Sequence, residues 1–103
     1  MANEPCPMER FCKILGSKWG CAVLRSLLKN EEMSFNDLRR ILNANPKTLS
    51  TKLKLLEKNG LVERRVMGEE RPIRVFYSLS NRGREVRRVG EFISSWLKET
   101  EGR

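Results

Sequence analysis

The chain has 103 residues, enough for one domain and too few for two, and its 21 Lys and Arg outweigh 13 Asp and Glu to give a net charge of +8. That excess favours a polyanionic partner, nucleic acid ahead of a membrane surface. Catalysis is disfavoured: there is no His, the commonest general base and transition-metal ligand, Asp37 is the single Asp, and no Gly-rich phosphate loop occurs. No enzyme activity, metal or cofactor is expected.

No apolar run approaches the roughly 20 residues of a membrane span, and the first ten residues lack the apolar core of a secretory signal. The cysteines Cys6, Cys12 and Cys21 are odd in number and form no C-x-x-C, which suits a reducing cytoplasm. A cytoplasmic protein without membrane contact is expected.

Pro5-Cys6-Pro7 predicts an extended arm. Met8, Phe11, Cys12 and Leu15 then recur at helical spacing until Gly16, so residues 1–16 are read as arm and first helix. A second helix is predicted over Lys18–Lys29, with Trp19, Val23, Leu24, Leu27 and Leu28 on one face, before the polar break Asn30-Glu31-Glu32. Cys12 and Cys21 fall on apolar faces and are expected in the core.

Ser34 can cap a third helix whose apolar face is Phe35, Leu38, Ile41 and Leu42, with Asp37 in its first turn. After Asn43-Ala44-Asn45, the pair Asn45-Pro46 is a strong helix start, and Asn59-Gly60 a left-handed stop. The fourth helix, Pro46 to about Lys58, turns Leu49, Leu53 and Leu56 inward. Residues 34–59 thus read as a helix-turn-helix. Over 61–79 the texture becomes β-prone: Leu61–Val66 and Arg74–Leu79, the latter alternating Val75, Tyr77, Leu79 against Arg74, Phe76, Ser78. The loop Met67 to Pro72 between them completes a hairpin, a wing. Residues 80–100 read as a last helix capped by Ser80 and carrying Val86, Val89, Phe92, Ile93, Trp96 and Leu97. The expected fold is mainly α with a small β part (α+β): a single winged helix-turn-helix domain over 1–103, with a two-stranded wing and N- and C-terminal dimerisation helices.

The fourth helix carries the functional argument. Outside its leucine stripe it shows Lys47, Thr48, Ser50, Thr51, Lys52, Lys54 and Lys58. Small hydroxyl side chains let a helix approach base edges, and ammonium groups reach the flanking phosphates. With Asn45 at its start, this face is the expected reading surface for double-stranded DNA. Arg64, Arg65, Arg71 and Arg74 in the wing can lie along or enter a minor groove, against the alternative of ordinary surface charge with Glu69 and Glu70 opposing. Phe11, Phe92, Ile93, Trp96 and Leu97 are the expected homodimer surface; docking of the last helix onto its own core is the alternative. Cys6, with Arg10 a turn away and Glu4 and Glu9 opposing, is either a redox sensor or an inert arm cysteine.

These residues carry a family resemblance over nearly the whole chain. Cys6-Pro7, Leu15-Gly16-Ser17-Lys18-Trp19, Phe35-Asn36-Asp37-Leu38-Arg39-Arg40, Pro46-Lys47-Thr48-Leu49-Ser50, Glu57-Lys58-Asn59-Gly60-Leu61-Val62 and Pro72-Ile73-Arg74-Val75-Phe76-Tyr77-Ser78-Leu79 occur in order. As a set they resemble the HxlR-type winged helix-turn-helix regulators. The resemblance implies homodimers built from terminal helices, a recognition helix in the major groove and wings alongside, with some members sensing oxidants or electrophiles through the cysteine matching Cys6 and others responding to small molecules. Asn45 stands where the family often has Ser, and Asn81 where it often has Pro. Two other readings remain at this stage. A module for RNA or single-stranded nucleic acid would need exposed aromatics, for which Phe76 is the candidate. A winged helix for protein–protein contact would not need the Lys/Ser/Thr face.

Overall fold

The computed structural model describes residues 6–16, 18–68 and 73–101. Among the described residues six helices and three strands run in the order α1 (Pro7–Leu15), α2 (Lys18–Lys29), β1 (Met33–Ser34), α3 (Phe35–Leu42), α4 (Pro46–Lys58), β2 (Val62–Met67), β3 (Arg74–Leu79), α5 (Asn81–Arg84) and α6 (Val86–Glu101). Val23, Leu24 and Leu27 of α2, Leu38 of α3, and Leu49, Leu53 and Leu56 of α4 form the helical part of the core. Met33, Val62, Tyr77 and Leu79 close it from the sheet side.

Local chemistry sets the helix ends. Ser34 Oγ accepts the Asp37 N–H at 3.0 Å, capping α3, while the Asp37 carboxylate turns to Arg40 at 2.7 Å. Asn43 adopts the left-handed conformation at φ 51°, and the Asn43 and Ala44 N–H groups donate to the Arg40 and Arg39 carbonyls. This Schellman closure buries Ala44 and leaves a three-residue turn before α4. Gly60, φ 76°, ends α4 in the same way, with Leu61 buried beside it. Ser80 then ties the ends together. Its hydroxyl donates to the Gly60 carbonyl at 2.6 Å and accepts the Gly83 N–H at 3.0 Å. A Cβ on Gly83 would collide with the Leu61 carbonyl oxygen, so only glycine lets α5 sit this close.

The wing hairpin is present, with one addition. Met33 and Ser34 pair antiparallel with Tyr77 and Phe76, so the sheet has three strands in the order β1-β3-β2. The two-residue β1 was invisible because Ser34 carried a stronger signal as a helix cap. In β2 and β3 the register pairs Val62 with Leu79, Arg64 with Tyr77 and Arg65 with Phe76. Val62, Tyr77 and Leu79 are buried, in keeping with the expected alternation.

Several expectations are corrected. Cys12 and Cys21 are exposed rather than in the core. The inner arc of α1 is Phe11, Ile14 and Leu15, and Met8, 67 % exposed, and Cys12 fall on its edge. In α2 the buried arc centres on Val23, Leu24 and Leu27, leaving Cys21 on the flank. Ile41 is 62 % exposed, because it lies about 100° round α3 from Leu42, past the edge of the core. The last helix is two: Ser80 caps the short α5, and a turn at Glu85 precedes α6.

Candidate nucleic-acid interface

The buried leucines fix the orientation of α4. At about 100° per residue, Lys47, Thr51, Lys54 and Lys58 fall within roughly 60° of arc, diametrically opposite Leu49, Leu53 and Leu56. All four are exposed, while the three leucines are at most 1 % exposed. Thr48, Ser50 and Lys52 are half-buried on the flanks. Ser50 faces a cleft of about 660 Å³ that it shares with Ser34, Asp37, Arg74 and Phe76, between the helix-turn-helix and the wing. Asn45 is occupied as the cap of α4, its Oδ1 accepting the Lys47 and Thr48 N–H groups at 2.8 and 3.4 Å. The Thr51 hydroxyl donates to the Lys47 carbonyl at 2.9 Å, so it presents an acceptor oxygen and a methyl outward.

In the wing the two adjacent arginines part company. Arg64 shares the face of Tyr77 and Val62, the side that packs on the helical core. Arg65 lies on the opposite face, where Nε and Nη2 reach Glu32 Oε2 and Oε1 at 3.0 and 2.6 Å. Its guanidinium lies 5.5 Å from the centroid of the Phe76 ring. Phe76 is therefore half-buried under an arginine, not an open platform for stacking bases. The hydrogen bond to Glu32, then its charge, raise the Arg65 pKa above the ordinary arginine value. A raised cation pKa gives a contribution fully present below the ordinary value and lost only as pH rises through the shifted one, so this pair is insensitive to pH in the neutral range. Arg74 is exposed at the start of β3, and Arg71 lies outside the described residues.

Among the described residues the ion pairs are Arg40–Asp37 and Arg65–Glu32, and within that set the lysines of the α4 stripe and Arg64 have no counter-ion. No three His, Cys, Asp or Glu of the described residues gather to hold a metal ion. No helix of the described residues is long and apolar enough to cross a membrane.

A stripe of cations without ion pairs among the described residues thus lies on the second helix of a helix-turn-helix, with a β-hairpin beside it. The sequence matches the HxlR-like helix-turn-helix family over residues 14–103. The chain belongs to that family. An HTH-type transcriptional regulator of Synechocystis is 36 % identical over 98 residues, covering 91 % of this chain and 72 % of its own. HTH-type transcriptional regulator YodB of Bacillus subtilis is 31 % identical over 100 residues, covering 96 % and 88 %. These relatives are regulators rather than enzymes. The reduced form of Bacillus subtilis YodB superimposes with a TM-score of 0.78 at 28 % identity, over 93 % of this chain and 94 % of that one. The redox regulator HypR in its reduced form gives 0.76 at 27 % identity, over 93 % and 94 %.

The second surface of interest is apolar. Along α6, Phe92, Trp96, Leu97, Ile93 and Val89 are 73, 57, 45, 39 and 38 % exposed. Val86 packs partly on the core, and the rest of the helix leaves it. Only the N-terminal end of the stripe, at Val86, packs on the domain's own core among the described residues. Between α6 and the α1–α2 pair runs a groove of about 470 Å³ lined by Phe11, Leu15, Leu24, Leu28, Val89 and Ile93, with Cys12 and Cys21 at its border. Phe11 shares this groove with Val89 and Ile93, whereas Phe92, Trp96 and Leu97 do not line it. Cys6 is exposed at the start of α1, its carbonyl accepting the Arg10 N–H at 3.0 Å.

Proposed function

We propose that this protein is a cytoplasmic, homodimeric transcription regulator that reads double-stranded DNA with α4 in the major groove and the wing alongside. The observation that carries the reading is the Lys47–Thr51–Lys54–Lys58 stripe, set opposite a fully buried leucine stripe so that α4 cannot turn it elsewhere. Lysines reach phosphates on either side of the groove, and the Thr51 oxygen and methyl suit an amino donor or a thymine methyl on a base edge. Thr48 and Ser50 flank that contact, and Lys52 lies on the phosphate side. Arg64, Arg71 and Arg74 are the wing residues for backbone or minor-groove contact.

Dimerisation supplies the second half of the affinity. A copy of this chain placing its α6 against the α6 face and groove would cover Phe11, Phe92, Ile93, Trp96 and Leu97. Burial is worth about 25 cal/mol per Å² of apolar surface, and a two-fold axis would set two α4 helices one helical turn of DNA, about 34–36 Å, or a multiple of it apart. The test is selection from a random duplex pool, followed by salt titration on the selected duplex, single-stranded DNA and RNA. An inverted-repeat motif bound far more tightly than the single-stranded probes is the expected result. Equal binding to all three would overturn the reading.

One observation favours an added redox response. Cys6 is exposed, and the structural neighbour YodB has been crystallised reduced, diamide-treated and quinone-bound. With diamide, the thiols of Cys6 and the partner's Cys6 would lose two hydrogens to the azo bond and form one disulfide. Operator affinity unchanged after treatment, with the disulfide verified by mass, would remove this response.

A further inference from the structure

Sequence neighbourhood places Arg65 among the DNA-contacting arginines of the wing, but its surroundings give it another task. Ser34, Phe76 and Arg65 stand directly opposite one another on β1, β3 and β2, and opposed residues share a face of the sheet. Arg65 starts on the edge strand, crosses over the Phe76 ring of the central strand and forks onto Glu32, just ahead of β1. One side chain therefore spans three strands, about 10 Å at the normal inter-strand spacing. The fork needs a planar guanidinium, since a lysine offers a point charge that can neither bind both carboxylate oxygens in plane nor stack flat on the ring.

What this strap joins matters. The main-chain ladder fastens β2 to β3 alone, whereas β1 is continuous with α3, because Ser34 is both its last residue and the α3 cap. From α3 a closed three-residue turn leads into α4. The Glu32–Arg65 pair thus connects the outer strand of the wing to the rigid body that carries the Lys47–Lys58 stripe. Arg65 is also already neutralised, while its neighbour Arg64 has no ion pair among the described residues.

Resting on the DNA-binding reading, we infer that Glu32 and Arg65 are positioning residues that fix the wing against the recognition helix, and that Arg65 makes no phosphate contact. The wing then meets the duplex at one angle relative to α4, which sharpens discrimination without adding to charge-driven affinity. Non-specific binding depends on counter-ion release and is indifferent to that angle.

Fluorescence anisotropy with the selected duplex and a scrambled duplex, over a salt series, tests this on the full chain. Arg65→Lys is the decisive variant because it keeps the charge and loses the fork. It and Glu32→Gln should each lower the ratio of specific to scrambled affinity about threefold, as suits an exposed pair, with scrambled binding unchanged. Arg65→Gln should keep the wild-type slope of log affinity against log salt, whereas Arg64→Gln should lower it by about one. Unaltered far-ultraviolet circular dichroism verifies the fold of each variant. The inference is overturned if Arg65→Gln flattens the slope by about one while Arg65→Lys behaves as wild type, for then Arg65 holds a phosphate. It is equally overturned if Glu32→Gln raises scrambled affinity and slope, for then Glu32 merely masks a DNA contact. A wild-type chain that binds no duplex defeats the DNA-binding reading itself, a result distinct from either.

Discussion

In α4 the apolar residues Leu49, Leu53 and Leu56 are at most 1 % exposed, whereas in α6 Phe92 and Trp96 are 73 % and 57 % exposed. Both helices are amphipathic, of 13 and 16 residues, and periodicity alone treats them as equivalents. The domain's own core has used the apolar face of α4, so its polar face is the one left to act. In α6 the apolar face is still uncovered, and that is the face available for a partner. Function sits on whichever face the fold has not consumed.

The contrast can be broken most forcefully in the two cores. Leu53→Ala should cost about 2–5 kcal/mol of unfolding free energy, since a fully buried leucine leaves a cavity. Trp96→Ala, removing a larger side chain, should leave the stability of the monomer unchanged when both are measured by denaturant titration at a concentration too low for dimers. A comparable loss for Trp96→Ala would show α6 packed on its own domain after all. At higher concentration the same variant should sediment as a monomer and bind the inverted repeat at least about 100-fold more weakly, with single-half-site binding retained, because avidity contributes 10²–10⁴-fold.

Gly90 sharpens the comparison from the α6 side. A Cβ at this position meets nothing within 4 Å, and Gly90 lies at the edge of the exposed apolar arc, on the border of the groove. Gly90→Ala should therefore stabilise the isolated helix by about 1 kcal/mol. Gly90→Leu should fold as well as wild type yet weaken dimerisation about tenfold in sedimentation equilibrium, if a partner helix approaches there (a factor of ten being about 1.4 kcal/mol). Dimerisation strengthened by Gly90→Leu would place the partner elsewhere on α6.

The α4 side predicts smaller and more specific effects. Lys54→Ala and Lys58→Ala should each lower the salt slope by about one and weaken all duplexes alike. Thr51→Ala should leave the slope intact and cost about 1–3 kcal/mol of discrimination at one base pair, read by competition between duplexes altered at single positions. A Thr51→Ala protein with wild-type preference would move the reading contact to Thr48 or Ser50.

The elements with strong end signals were legible in the sequence. Asn45-Pro46 and Asn59-Gly60 bracket α4 at the residues observed, and Ser34 does cap α3. These signals are local: a cap bonds an N–H two or three residues away, and a left-handed residue closes the turn behind it. The buried stripe of α4, and with it the side facing outward, also followed from period alone, which is why the Lys47, Thr51 and Lys54 positions could be named as a surface. Family membership was equally a property of ordered motifs.

What the tertiary structure decided lies where the partners are distant in sequence. The pairing of Met33 and Ser34 with β3, the exposure of Cys12, Cys21 and Ile41, and the departure of α6 from the core depend on which neighbouring element reaches them. So does the fate of Arg64 and Arg65. They are adjacent residues of one type, and strand alternation turns them to opposite faces. Whether Arg65 finds Glu32, 33 residues away, is set by the sheet register and by no feature of its own segment.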